Sequence, residues 1–146
     1  MGYRYLILGA GRQGTACAYD LARFGEADRI ILADANRAFA QKSVERLRRL
    51  LFPSNKTGLE AVAVSVQDHS SLVKVMSGAD AMMSAVPYYF NPLVAKAAIE
   101  AAVPMCDLGG DIQVVQEERR LSDAAQTAGI SIIPDCGLAP GMNNLL

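Results

Sequence analysis

The chain has 146 residues, 51% of them apolar, which suffices for one domain of ordinary size with a substantial core. Fourteen basic residues against fifteen acidic ones leave a formal charge of -1, so no long-range field points to nucleic acid or an anionic membrane, and any ligand must be recognised by local groups. The three cysteines, Cys17, Cys106 and Cys136, lack C-x-x-C spacing and argue against a disulfide framework or a zinc site, and no apolar run approaches the roughly 20 residues of a membrane helix. With a strand-like run starting at Tyr3, these features predict a soluble, unexported protein of the cytoplasm, without metal.

Along the chain, short apolar runs alternate with longer segments of helical period, the pattern of βα units around a parallel sheet. Strands are expected near 3–8, 29–34, 60–66, 79–85, 103–107 and 130–133, and helices near 12–24, 37–51, 70–77, 90–102 and 112–128. The helical stripes are Val44, Leu47 and Leu51, then Val94, Ala97 and Ala101, then Val114, Leu121, Ala125 and Ala128, each able to pack on a sheet. The fold class predicted is α/β, a doubly wound Rossmann sheet of six strands in a single domain over 1–146.

The first unit carries the strongest chemical signal. Leu6-Ile7-Leu8 runs as a strand into Gly9-Ala10-Gly11-Arg12-Gln13-Gly14, a G-x-G-x-x-G followed by a helix rich in alanine and leucine. Gly9 permits the tight turn, Gly11 lets the backbone approach a pyrophosphate, and Gly14 lets helix and strand pack closely. The phosphates would sit on free N–H groups of the helix start, at Arg12 and Gln13, where the helix dipole also favours negative charge. The second strand ends at Asp34, 20 residues after Gly14, the spacing expected of a carboxylate that hydrogen-bonds the adenosine ribose; Ala35 and Asn36 follow it in the site. Because its charge repels a 2′-phosphate, Asp34 predicts NAD in preference to NADP, with Arg37 nearby able to soften that choice.

In an open parallel sheet, ligands lie over the carboxyl ends of the strands, so the later strand ends complete the expected site. After strand three, Ser65 and Val66 would flank the adenine, and Asp68 reads as a helix cap. His69, the single histidine, raises the question of acid–base work, but its place at a helix start on the adenine side fits a surface residue better. Strand four leads into Ser84-Ala85-Val86-Pro87, where Ala85, Val86 and Pro87 are small enough to let ribose and nicotinamide approach the backbone. Tyr88 and Tyr89 read equally well as substrate-pocket hydroxyls and as rings packed on a neighbouring domain. Strand five ends in Cys106-Asp107-Leu108-Gly109-Gly110-Asp111. Asp107, Leu108 and Gly109 are expected against the cofactor, Asp107 is the candidate catalytic residue, and Asp111 reads as the cap of the next helix. Cys106 and Cys136 have no cationic neighbour in sequence and read as structural thiols.

Beyond the sixth strand comes Pro134-Asp135-Cys136-Gly137-Leu138-Ala139-Pro140-Gly141, then one turn of a possible helix from Met142 to Leu146. Residues 134–146 are expected to begin a crossover into a second domain. Taken with Gly9 to Gly14, Ala85-Val86-Pro87 and Asp107-Leu108-Gly109-Gly110, this last motif makes the whole chain resemble the saccharopine dehydrogenase-like family, with its strongest likeness to the lysine 6-dehydrogenase branch.

The resemblance implies an NAD-dependent dehydrogenase acting on an amine carbon, with hydride passing to nicotinamide C4 and the imine then hydrolysed; the substrate is a small amino acid or amine, such as L-lysine at its ε-amino group. It also implies a further domain that shapes the substrate pocket and makes the contacts of a homo-oligomer. Saccharopine reductases carry Gly-Leu-Asp-Pro-Gly where this chain has Ala139, which argues against saccharopine. Alternatives are a saccharopine, carboxynorspermidine or homospermidine enzyme, or a non-catalytic NAD-binding module.

Overall fold

The computed structural model describes residues 2–137. Alternating strands and helices run in the order β1 (Tyr3–Leu8), α1 (Arg12–Phe24), β2 (Ala27–Asp34), α2 (Arg37–Leu50), β3 (Gly58–Ala63), α3 (His69–Met76) and β4 (Ala81–Ser84). A 3-10 turn over Tyr88–Phe90 leads into α4 (Asn91–Ala101), followed by β5 (Met105–Asp107), α5 (Ile112–Arg119), α6 (Ser122–Ala128) and β6 (Ile132–Ile133). The six strands form one sheet in the order β3-β2-β1-β4-β5-β6, and every pairing is parallel.

Alternation along β1 divides the core between the two faces of the sheet. Ile7 joins Ala18 and Ala22 of α1, Ile30 and Leu32 of β2, and Ala40, Val44 and Leu47 of α2. Leu6 and Leu8 join Leu72 and Met76 of α3, Val94, Ala97 and Ala98 of α4, and Met82, Val103 and Met105. Leu6, Ile7, Ile30, Leu32, Leu47 and Leu72 are completely buried, each contributing about 1.5–3 kcal/mol of transfer free energy. The helices lie on both faces, so the doubly wound reading holds.

The elements differ from expectation mainly at their ends. β2 and β3 start earlier, at Ala27 and Gly58, and β3 ends at Ala63 rather than 66. After Val64 N–H donates to the Asp34 carbonyl (3.0 Å), the chain leaves the ladder, which frees 65–67 to wall the site. β5 and β6 start later than predicted because the N–H groups of Val103 and Ile130 donate to the preceding helices, at the Ala98 and Ala125 carbonyls (2.9 and 3.0 Å), and β4 is also shorter, Ala81–Ser84. The single helix expected over 112–128 is two helices. α5 closes at Arg120 and Leu121, whose N–H donates to the Glu118 carbonyl (2.9 Å), and the reorientation lets Leu121 and Ala125 reach the core while Glu118 turns inward. No glycine or proline announces that break. Leu138-Ala139-Pro140-Gly141 and the turn expected over 142–146 lie outside the described residues.

Candidate functional site

The strand order reverses direction at β1, which has β2 on one side and β4 on the other, so a crevice opens over their carboxyl ends. The turn that leaves β1 is fixed by close backbone contacts. Gly9 has φ +97°, and a Cβ there would lie 2.7 Å from the Ala85 carbonyl oxygen, so both conformation and space demand glycine. A Cβ on Gly14 would overlap the Gly9 carbonyl oxygen and press on Ile7, which is the close helix-on-strand contact that the spacing predicts. Gly11 is different: a Cβ there would meet nothing within 4 Å. Its glycine is required by nothing in the protein itself.

Gly11 is also the N-cap of α1, where no side chain caps the helix and no acid occupies the first turn. The helix start at Arg12 and Gln13 therefore presents uncompensated N–H groups beside open space, the property of an anion cradle. Ala10, between the two glycines, is held by three hydrogen bonds. Its carbonyl accepts from the hydroxyls of Thr15 (3.2 Å) and buried Ser43 (2.9 Å), and its N–H donates to Asp34 Oδ2 (3.0 Å).

Asp34 thus joins the end of β2 to the phosphate loop. Its Oδ1 accepts from Asn36 N–H (2.9 Å), and Asn36 in turn caps α2 through the Phe39 N–H (3.1 Å). Each carboxylate oxygen accepts one backbone N–H and keeps a lone pair for a further donor. A cavity of about 300 Å³ adjoins it, lined by Gly9, Asp34, Ala35, Ser65, Val66, Ala85, Val86 and Pro87, all expected from the sequence, and by Leu8, Val64, Gln67 and Phe90, which sequence reasoning missed. The missed ones sit next to predicted residues along the strand ends, and Phe90 enters through the 3-10 turn that no periodicity signals. Asn36 caps α2 beside the cavity without lining it.

Asp107, Leu108 and Gly109 stand apart, at the end of β5. Asp107 is completely buried, and its Oδ1 accepts from Gly109 N–H (2.6 Å) and Asp135 N–H (3.1 Å), while its carbonyl accepts from Cys136 N–H (2.8 Å). Gly109 has φ +67° and a Cβ there would overlap Asp135; a Cβ on Gly110 would lie 3.1 Å from the Tyr88 ring. Close by, buried Ser84 donates to Asn91 Oδ1 (2.8 Å), fixing the start of α4 against the end of β4.

Of the remaining candidates, the two helix caps and the histidine take the places expected of them. Asp111 caps α5 by accepting from Gln113 and Val114 (2.8 and 3.2 Å), and Asp68 caps α3, hydrogen bonds from Ser71 holding its carboxyl below the usual range. His69 is exposed and pairs with Glu100 on α4 (2.7 Å). Burial pushes the Cys17 thiol up to about 12 and Cys106 up to about 11, and it also raises Cys136, so none is poised as a thiolate. Tyr88 and Tyr89 are exposed, their rings edge to face at 5.5 Å. Among the described residues, no helix is long and apolar enough to cross a membrane.

The chain is similar to known proteins in sequence and fold. The family described as Saccharopine dehydrogenase NADP binding domain matches residues 5–133. The chain is 30% identical over 145 residues to saccharopine dehydrogenase [NADP(+), L-glutamate-forming] of Saccharomyces cerevisiae, covering 99% of this chain and 29% of that enzyme. It is also 30% identical over 94 residues to the mitochondrial alpha-aminoadipic semialdehyde synthase of Mus musculus, covering 64% of this chain and 10% of that protein. The solved apo saccharopine dehydrogenase (L-Glu forming) of S. cerevisiae superposes with a TM-score of 0.78 at 26% identity, over 99% of this chain and 29% of that one. GenD2 from gentamicin A biosynthesis, solved in complex with NAD, shares the fold with a TM-score of 0.65 at 15% identity, over 91% of this chain and 34% of that one. The chain belongs to the saccharopine dehydrogenase NADP-binding-domain family, and it spans less than a third of the length of the yeast relative.

Proposed function

We propose that this chain binds NAD(H) as the cofactor part of a dehydrogenase that oxidises an amine carbon of an amino acid, with L-lysine at its ε-amino group the first substrate to test. The observation that carries the cofactor reading is the pair formed by open Gly11 on an uncapped helix start and Asp34 held beside it. Phosphates fit the N–H groups at Arg12 and Gln13, ribose hydroxyls donate to the free lone pairs of Asp34, and Ser65 and Val66 border the adenine. When bound, the nicotinamide supplies the hydride acceptor. Ala85, Val86 and Pro87 offer it a backbone wall, and the Asp107–Gly110 turn lies one strand further along the sheet.

Asp34 supports NAD over NADP, because a second negative charge against this carboxylate is repelled. The family's name and the NADP(+) in the yeast relative's name favour the opposite choice, so NADPH is the second reading. Isothermal titration of the chain with NADH and then NADPH decides between them. Tighter binding of NADPH overturns the assignment of Asp34 as selector, and binding of neither overturns the site.

Asp107 is the residue that the sequence singles out for catalysis. We assign it to loop positioning instead, since a completely buried carboxylate whose Oδ1 holds two backbone N–H groups is poorly placed to exchange protons with a substrate. For the substrate, the names of the saccharopine relatives weigh against lysine, while Ala139 weighs against saccharopine. Reduction of NAD followed in turn with lysine, saccharopine and a carboxylated polyamine, using the full-length protein, separates these, and turnover of none supports a non-catalytic module. We place the protein in the cytoplasm, and we expect the full-length form to be a homo-oligomer.

A further inference from the structure

Three buried side-chain oxygens have no hydrogen-bond partner among the described residues: Asp107 Oδ2 and both carboxyl oxygens of Glu118. Glu118 belongs to the last turn of α5 and is only 3% exposed, a burial rare for this residue type unless it is paired. The charged groups facing it are acids from two other elements, Asp107 at the end of β5 and Asp135 after β6. Its helix neighbours Glu117 and Arg119 are exposed, as is Asp123 on α6. No ion pair of the described residues reaches Glu118 or Asp107.

Two carboxylates cannot both be charged side by side in such a place, and the group they lack is a donor. A single proton supplies it. Asp107 already accepts two N–H groups on Oδ1 whereas Glu118 accepts none, so the negative charge is better held on Asp107 and the proton on Glu118.

We infer that Glu118 is a positioning residue: a neutral carboxylic acid that donates its proton to Asp107 and thereby fixes the two loops, 107–110 and 134–137, that Asp107 ties together. That these loops border the nicotinamide rests on the dinucleotide reading above; the shared proton does not. Burial, and after it the neighbouring Asp107, pushes the Glu118 carboxyl up to about 8. The clamp is therefore complete at neutral pH and opens as pH rises, when the proton passes to solvent and leaves two buried negative charges. The linkage has the matching sign. A carboxyl whose folded value is raised stabilises the fold most below its unfolded value near 4.5, and that stability is lost progressively up to about pH 8.

The test is a pH titration of the chain labelled with nitrogen-15 and carbon-13, followed by NMR. The amide signals of Gly109 and Asp135, which donate to Asp107, should move together with the Glu118 carboxyl carbon, with one midpoint near pH 8. Glu118→Gln keeps a donor and nearly the same shape, so it should fold, retain the Gly109 signal in its low-pH position and abolish the titration. Glu118→Leu fills the space without a donor; a purely packing role predicts that it matches the Gln variant, whereas the shared proton predicts a displaced Gly109 signal at every pH. A Glu118 carbon midpoint below about pH 6, nearer an ordinary carboxylate, overturns the inference even if no variant folds. Repeating the titration with NADH present separates the two readings, since failure to bind NADH leaves the proton result standing.

Discussion

The two halves of the sheet solve the same architectural problem in different ways. On the β1–β2 side the contacts that shape the site are made to backbone groups: Gly9 to Ala33 and against Ala85, Gly14 to Gly9, Ala10 to Asp34, Asp34 to Asn36. On the β4–β6 side the strands are four, three and two residues long, and the loops are tied through one buried carboxyl, Asp107, which accepts from Gly109 and Asp135, with Gly110 against Tyr88. The first half of the candidate site is built largely from backbone. The second depends on a buried acid pair, and its behaviour should follow pH where the first half's should not.

The largest effects are expected where backbone meets backbone. Gly14→Val places a side chain into the Gly9 carbonyl, which cannot move without breaking the turn, so we expect a loss of about 3 kcal/mol or more, enough to unfold much of the population by circular dichroism and chemical denaturation. Native-like stability in that variant contradicts the tight helix-on-strand contact. Gly11→Val is the counterpart three residues away. With no protein atom within 4 Å of its Cβ, the fold should persist and NADH affinity should fall by about a hundredfold or more, roughly 2.7 kcal/mol. Unchanged affinity removes the phosphate loop from the binding site.

Asp34→Ser comes next and sharpens the contrast within the first half. Serine retains one acceptor for the Ala10 or Asn36 N–H but no charge, so the ratio of NADH to NADPH affinity should narrow by about tenfold, near 1.4 kcal/mol. The loss of one backbone partner should cost about 1 kcal/mol of stability. A ratio that does not change shows that another group, with Arg37 the first to examine, governs the choice.

This division also decides what could be read in advance. The structural roles of Gly9 and Gly14 and the positions of Gly11 at the helix start and Asp34 at the strand end were legible because they depend on spacing within one βαβ unit, and Asp68 and Asp111 because a cap acts on the next turn of chain. The break of α5 from α6, the inward turn of Glu118 and the burial of Asp107 were not legible. Glu118 lies in a run, Gln116-Glu117-Glu118-Arg119-Arg120, that resembles a solvated helix face, and only the approach of β5 and the segment after β6 makes one member of it a core residue. Composition cannot distinguish Glu117, which is exposed, from its neighbour, which is not. Strand ends failed for a related reason: an apolar residue pairs or simply packs according to what arrives beside it.

The smallest effect is expected at His69, and it bears directly on where pH sensitivity resides. It is the single histidine of the chain. The structure places it at the first turn of α3, 52% exposed, with Nε2 2.7 Å from a Glu100 carboxylate that is itself 60% exposed. Water and salt screen such a pair, and ordering two mobile side chains offsets part of the attraction, so it is worth at most about 1 kcal/mol. It lies on α3, beyond β3 in sequence, and neither it nor Glu100 lines the cavity or belongs to the Asp107 loops. His69→Gln should therefore shift the thermal midpoint by a few degrees at most, leave NADH affinity within about twofold, and leave the Gly109 titration of the intact chain in place. If removing His69 abolished that titration, the proton would belong to the exposed pair on α3 and α4. The buried carboxyls of the β4–β6 half would then have to be satisfied in some other way, and the contrast between the two halves would no longer be one of chemistry.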